Sequence, residues 1–572
     1  MTTPRTSCRS WRGNYLLMTL VLAGLVGMRP SAVRGQDPPP SPVPVGDGAD
    51  TSGAQAPAGD PADPNAPQAL TRGAIHEAFA APVVHDPASG PVIPKQPPDP
   101  IQEMPPDQKP AGQNIQWIPG YWSWDVSRND FVWVSGIWRE PPPNNQWVPG
   151  YWHQVEGGSQ WVPGTWIPVS AGASGGQAQA PGQAQPSYLP APPKSLENGP
   201  TSPQPNPNVA WTPGYWSWQG SNYAWRPGFW AGVQPNWIWM PAHYVWSPSG
   251  YLFVPGYWDL PVANRGLMFA PVYYPQPVYA QPSFVFTPSI TIAGPSITAN
   301  LFVSAGSNQY LFGDFYAQNF VGIGITPWFS LSFATGPPVF FDPFFSHYAV
   351  IYGRQNPGWI AQIRRDYVLR RDNVAMRPAH TYFEEMRRVE RGERVEHAMA
   401  VRLDRVAAER GMRLERVSAA ERQQIHQQVA QLHQFREQRA QQEREGARER
   451  AADRSAAARA RPMNLPHSPV GAHVGAGAAH TAAAQHAAAQ RALSARAAAA
   501  RGSATHTGAA HGSEAQQRQP SHATGAEGRQ GAALRSAARA GQRGGASRET
   551  PRSAASSRGR GRSEEEERRR PE

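Results

Sequence analysis

The chain of 572 residues holds a single cysteine, Cys8. Beyond that position it has no disulfide, no thiolate metal site, no cysteine nucleophile and no thiol to carry a lipid. Lysine is nearly absent: Lys95, Lys109 and Lys194 stand alone among 53 basic residues, the rest being arginine. Apart from a short stretch near the start, no apolar run approaches the roughly 18 residues of a membrane-spanning helix. Catalytic signatures are missing too. No His-Glu-x-x-His, Walker or calcium-loop pattern occurs. Gly172-Ala-Ser174-Gly175-Gly176 spells a nucleophile elbow, but it sits in a Gln/Gly/Ala tract without the strand before it or the helix after it that an elbow requires. Gly322-Ile-Gly324 lacks the third glycine of a dinucleotide loop.

Composition divides what remains. There are 54 Gly and 62 Pro, and where they concentrate the chain cannot bury enough apolar surface to offset its conformational entropy. Arg5, Arg9 and Arg12 precede an apolar run at 15–27, and Val33 and Gly35 are small residues ahead of Gln36. This is the outline of a secretory signal over 1–35. A disordered Pro/Ala-rich spacer is expected at 36–112, where PPPSPVPVG and PKQPPDP favour polyproline II. A Gln/Pro/Ala linker is expected at 170–207, and a disordered basic Ala/Arg/Gly/His tail at 456–572. From Arg461 onward 17 Arg stand against 8 acidic residues, which suits the tail to polyanions. Its Arg558-Gly-Arg560-Gly-Arg562 run has the form of nucleic-acid-binding RG segments, yet a secretory signal argues against an intracellular nucleic acid. His467, His473, His480, His486, His506, His511 and His522 are spaced too irregularly for a metal site of fixed geometry, and no cofactor is expected.

Between Trp117 and Trp258 the sequence says nearly the same thing eight times: WIPGYW, WVSGIW, WVPGYW and WVPGTW, then WTPGYW, WRPGFW, WMPAHY and FVPGYW. The copies start about every 14 residues, and 18 of the 21 Trp lie in this stretch. A fixed period signals one supersecondary unit stacked on copies of itself. Strand formers flank turn formers within each unit, so the expectation is one antiparallel hairpin per repeat, grouped into modules at 113–169 and 208–260. With Pro119-Gly120 as the turn, Trp117 would stand opposite Trp122 and share its face with Trp124. Gly120, Gly136, Gly150, Gly164, Gly214, Gly228 and Gly256 are then turn glycines. One conflict is visible at once: two-residue hairpin turns want positive φ, which L-proline cannot adopt. Aromatic residues occur on both faces of such a sheet. Either the modules pack together or an aromatic face is exposed as a binding surface, with Trp117, Trp122, Trp124, Trp147, Trp152, Trp211, Trp216, Trp218, Trp225 and Trp230 as candidates.

An aromatic, β-rich region is expected at 261–358. Arg/Glu/Gln-rich helices follow at 359–455, with capping boxes at Thr381–Glu384 and Ser418–Glu421 and an apolar stripe at Ile425, Val429 and Leu432. The fold class is thus mainly β, closing in a helical segment.

The Trp-x-x-Gly-x-Trp copies resemble the YXWGXW (WXXGXW) repeat proteins of bacterial cell envelopes. The copy at Trp239 departs from the pattern, with Ala242 and Tyr244 where Gly and Trp belong, and the last copy opens with Phe253. The resemblance implies an exported envelope protein, in the periplasm, the outer envelope or the medium, without assigned activity or catalytic residues. The expected function is a non-enzymatic scaffold or interaction module whose partners are an envelope polysaccharide or another envelope protein. The rival is a carbohydrate-binding protein with a Trp/Tyr platform. A hydrolase in 261–375 using Asp314, Asp342 and His347 is the weakest alternative.

Overall fold

Proline cannot donate to a β-ladder, and glycine leaves the space above its Cα open to a neighbour. The repeat uses both at one point. The structure is a computed structural model that describes Asp63 and residues 65–112, 114–169, 186–329, 339–393, 398–453, 455 and 458–471. In it two motifs run antiparallel against each other, so the unit is a pair. In the first pair Gln116–Ile118 lies against Ile137–Arg139 and Tyr121–Asp125 against Asp130–Val134, which sets Trp117 opposite Trp138 and Trp122 opposite Trp133. The ladder breaks where Pro119-Gly120 faces Ser135-Gly136. The chain reverses elsewhere, beside Asn129 at φ 51°.

The other pairs follow suit. Trp147 faces Trp166 and Trp152 faces Trp161. Trp211 faces Trp230 and Trp216 faces Trp225. Trp239 faces Trp258 and Tyr244 faces Phe253. These pairs reverse beside Gly157, Gly220 and Gly250, all at positive φ. The hairpin therefore spans two repeats rather than one, and Trp117 does not stand opposite Trp122. The physical reason is the conflict already seen in the sequence: the positive-φ positions a hairpin needs are supplied by Asn and Gly, never by the Pro-Gly step. None of the seven motif glycines is a turn glycine.

Each motif glycine instead lies under the opening aromatic ring of the opposite motif. A Cβ on Gly120 would come 2.8 Å from the Trp133 indole, one on Gly164 2.6 Å from Trp147, and one on Gly214 2.6 Å from Trp225. A Cβ on Gly136, Gly150, Gly228 or Gly256 would collide with Trp117, Trp161, Trp211 or Trp239 in the same way. The departures at Ala242 and Phe253 are one change, not two. The only motif with alanine in the glycine place is paired with the only motif that opens with the smaller phenyl ring. The cross-strand indoles meet edge to face, as in Trp117–Trp138 (5.1 Å, 67°) and Trp122–Trp133 (5.4 Å, 78°). Such contacts add about 0.5–1.5 kcal/mol each beyond burial.

Pairs pack in twos, by the same contacts each time. Tyr121 stacks on Trp161 (4.9 Å) and Phe131 meets Trp152 edge-on, while the Trp152 indole donates to the Trp122 carbonyl at 2.9 Å. Residue for residue, Tyr215 stacks on Phe253 (5.7 Å), Tyr223 meets Tyr244, and the Tyr244 hydroxyl donates to the Trp216 carbonyl at 2.7 Å. Pairs one and two thus form module 1, and pairs three and four form module 2. The inner pairs two and four share a core through Val148, Ile167, Val245, Leu252 and Val254, and a buried Arg139–Asp259–Arg265 cluster ties module 1 to the end of module 2.

The boundaries drawn from composition need correction. Residues 65–112 are no disordered spacer: Leu70, Ile75 and Phe79 are buried, Gly73–Ala74 joins the sheet of Leu301–Ser304, Gln309–Phe312 and Ile325–Pro327, and Val92–Ile93 joins Gly158–Val162. Likewise Ser187–Leu189 pairs with Gly250–Val254, and Met463 and Val470 are core residues. Few but well-placed apolar residues anchor these stretches to surfaces the repeats provide, which an average over a Pro-rich window conceals. The expected signal, the linker at 170–185 and the tail from 472 lie outside the described residues. The 261–358 region mixes short strands with helices, the longest being Pro343–Gln355. Both N-caps form, with Thr381 and Ser418 accepting from the amides of Glu384 and Glu421, while the two glutamates turn elsewhere, Glu384 to the His380 amide and Glu421 to Lys109. The Ala419–Ala452 helix buries Ile425, Leu432, Phe435, Arg439, Ala440 and Glu443. No described helix is long and apolar enough to cross a membrane.

Gly256→Ala is expected to lower stability by about 1–3 kcal/mol through overpacking against Trp239. Adding Trp239→Phe, which recreates the Ala242/Phe253 solution, should recover at least about 1 kcal/mol of that in a double-mutant cycle read by urea unfolding.

Candidate interaction surface of the repeat modules

Breaking a ladder strands polar groups. At every x-Pro-Gly or x-Ser-Gly step the glycine amide and the residue before it lose their strand partners, and buried groups of this kind must be satisfied. At Gly120, Gly136, Gly164 and Gly214 the chain does so with acids, two of which, Glu103 and Glu197, are carried on Pro-rich straps. Glu103 accepts from the amides of Gly120 (2.7 Å) and Gly136 (2.9 Å) and from the Trp133 indole (3.3 Å). Glu77 accepts from the Gly164 amide and the Trp161 indole. Glu197 accepts from the Gly214 amide and the Trp211 indole (2.9 Å). In all three, the indole N–H and the amide of the glycine three residues later grip one carboxyl. Trp-x-x-Gly is thus a carboxyl-binding element.

The straps carry further acceptors. After Pro97-Pro98, the Asp99 carbonyl takes the Trp122 indole at 2.9 Å; after Pro192-Pro193, the Lys194 carbonyl takes Trp216 at 2.9 Å. The carbonyls of Gln108 and Ser202 then receive the Trp138 and Trp230 indoles. Val92 pairs with Gln160 and Tyr188 with Leu252 at equivalent ladder positions. The segments 92–108 and 188–202 are therefore one strap, present once per module.

Burial pushes the Glu103 carboxyl up to about 7 against the pull of its three N–H partners, and does the same to Glu77. The carbonyl side of the breaks is satisfied by bases. Arg439, buried and paired with Glu443 at 2.8 Å, donates to the Pro149 (2.8 Å) and Pro163 (3.1 Å) carbonyls, and His76 bonds the Pro119 carbonyl at 3.1 Å.

The two modules differ in what covers them. Trp117 is fully buried beside Phe269, Val401 and Leu403, and Trp122 lies beneath Tyr274 and Tyr279. Every Trp of the third pair, by contrast, is only half-buried.

Four segments match the family model of the WXXGXW repeat: residues 117–139, 147–166, 206–231 and 235–259. Each covers one structural pair. The chain carries the WXXGXW repeat. Neither the curated proteins nor the solved structures contain a match to it.

Of the residues proposed from sequence for an aromatic face of these WXXGXW repeats, the structure makes three groups. Trp117, Trp122 and Trp147 are core. Trp124 and Trp152 are half-buried, packed on Phe131. Trp117 and Trp122 do not share a face, because the break at Pro119-Gly120 re-aims the strand and sends them into different clusters. Trp211, Trp216, Trp218, Trp225 and Trp230 gather on the third pair and remain half-open to solvent. Asp314, Asp342 and His347 form no bonded set among the described residues. Asp342 caps the Pro343–Gln355 helix and takes the Tyr310 hydroxyl, and Asp314 is held by His380 and Arg377. His467 is exposed, and the other tail histidines lie outside the described residues. Sequence reading missed the three glutamates. For Glu103 and Glu197 a signal was present: VIPKQPPDPIQE and YLPAPPKSLE each end in a Glu 14 residues before the opening Trp of a module, whereas Glu77 shares neither the sequence nor the spacing.

Glu103→Ala, which strands three buried N–H groups, is expected to cost at least about 3 kcal/mol. A carboxyl raised by folding favours the folded state most at low pH. The contribution of Glu77 and Glu103 should therefore be complete below about pH 4.5 and fade as pH rises through about 7. Melting curves from pH 5 to 8 are expected to show this decline, and Glu103→Gln should flatten it.

Proposed function

We propose that this is an exported, non-enzymatic scaffold of the cell envelope, with module 1 as its structural anchor and module 2 as its interaction surface. The contrast between two modules of the same construction carries the reading. In one the aromatic face of the outer pair is covered by the rest of the chain, and in the other it is left half-open. Half-open aromatic surface of this extent marks a place where something binds. The most perturbed carboxyls support a non-catalytic role, since Glu77 and Glu103 are committed to the repeats and Asp342 to a helix cap. Export follows from the arginine-led apolar segment at the start of the sequence.

A second reading, a sugar platform, is favoured by the partial exposure of Trp216, Trp218 and Trp225 together on one hairpin. It predicts a saturable shift in Trp fluorescence with one class of envelope polysaccharide, abolished by Trp216→Ala.

Fractionation of the producing cell is the test of the main reading. The protein should appear in the envelope fraction and stay in the cytosol when residues 1–35 are deleted. Trp216→Ala and Trp225→Ala should release it from the envelope while the rest of the chain melts as before. Trp117→Ala should instead lower stability by about 3–5 kcal/mol. Retention unchanged by both module 2 substitutions would refute the interaction role.

A further inference from the structure

Modules 1 and 2 are built alike, but their outer edges end differently. In module 1 the outer strand of the first pair is not an edge. Gly266–Met268 lies antiparallel on Ile137–Arg139, Val272 pairs with Trp133, and the Glu140 amide donates to the Arg265 carbonyl at 2.8 Å. Tyr274 and Phe286, further along, join Ile101, Trp122 and Phe131 in one buried cluster.

The equivalent strands of module 2, Tyr223–Arg226 and Phe229–Gly232, pair among the described residues only with Tyr215–Trp218 and Val209–Thr212. The Val233 amide donates inward to the Asn208 carbonyl at 2.9 Å. The alternation of an antiparallel ladder then turns the backbone of Trp230 and Gly232 outward, the direction that Trp138 and Glu140 use in module 1 to hold the added strand. The apolar cover is thinner as well among the described residues: Leu196, the strap residue matching Ile101, is 55% exposed where Ile101 is 4%. Soluble proteins normally blunt such edges, and this one carries neither a lysine nor an inward-pointing charge along Phe229–Gly232.

We propose that this edge receives an antiparallel strand from a partner protein, by β-augmentation. The proposal rests on the interaction-module reading and names the kind of partner. Its chemistry follows from the strand already seated on module 1. A glycine passes the Ala231 position, because Gly266 lies against the Trp138 carbonyl with no room for a Cβ. Apolar residues follow over Trp230, and an aromatic end covers Leu196 and Trp216. The chain's own 266–273 segment does not fill the place, since it is engaged on module 1.

The probe is a fluorescein-labelled peptide of residues 264–276, titrated into the full chain and read by anisotropy. Saturable binding is expected, weakened about tenfold or more by Gly232→Pro, which deletes an outward N–H and leaves the inner ladder intact, and retained in Gly232→Ala. Leu196→Asp, on the exposed strap, should give the same loss by an independent route, and a peptide with valine for its glycine should not bind. No binding to the native chain, or binding indifferent to Gly232→Pro and Leu196→Asp, overturns the proposal. A dimer that Gly232→Pro dissolves, with no peptide bound, overturns it too, by making a second copy the occupant. The envelope-retention test judges the broader reading separately: if Trp216→Ala and Trp225→Ala release the protein while the peptide fails to bind, only the strand proposal falls.

Discussion

A carboxyl held between an indole N–H and a glycine amide is the contact on which the rest of this structure depends. Burying an acid is costly unless donors meet it, and leaving N–H groups buried without acceptors is costly too. The repeat sets one against the other. Its break in the ladder strands glycine amides, its opening Trp offers an indole three residues earlier, and a single Glu from outside the repeat answers both. Arg439 and His76 take the proline carbonyls on the other side of the same breaks. A WXXGXW pair is thus incomplete by itself, and its missing polar partners lie outside it, on the 92–108 and 188–202 straps, at His76 and Glu77, and on the Ala419–Ala452 helix.

This division of labour explains the layering. Ring-over-glycine contacts fix each pair, and Tyr121–Trp161 or Tyr215–Phe253 stacking fixes each module. Pairs two and four then join, while the Ala419–Ala452 helix holds two carbonyls of pair two through Arg439. Pair three is left at the periphery with the largest share of open aromatic surface.

Much of this was legible in the sequence, and the illegible part has a physical reason. Period and residue type identify the strands, the two modules, both capped helices and the family of the repeat. The register is hidden because a motif pairs with its neighbour rather than folding on itself, and only the incompatibility of proline with a primed turn hints at that. The acids are hidden because they precede the repeats they serve, Glu103 and Glu197 embedded in proline-rich sequence and Glu77 lying 87 residues from the amide it binds. The exposure of Trp216 and Trp225 beside the burial of Trp122 and Trp133 is hidden altogether, since the motifs are nearly identical and the difference lies in whether residues 266–286 reach them.

The placement of the three glutamates also sets how local the closure of each pair is. Glu103 and Glu197 each precede by 17 residues the first glycine amide they bind, whereas Glu77 and Gly164 are 87 apart. Closing the longer loop costs more chain entropy, and the contact gives nothing back until the intervening first pair has formed. Pairs one and three can therefore close locally as the chain emerges. Pair two is closed instead by a distant partner, so its glutamate contact is the least local of the three.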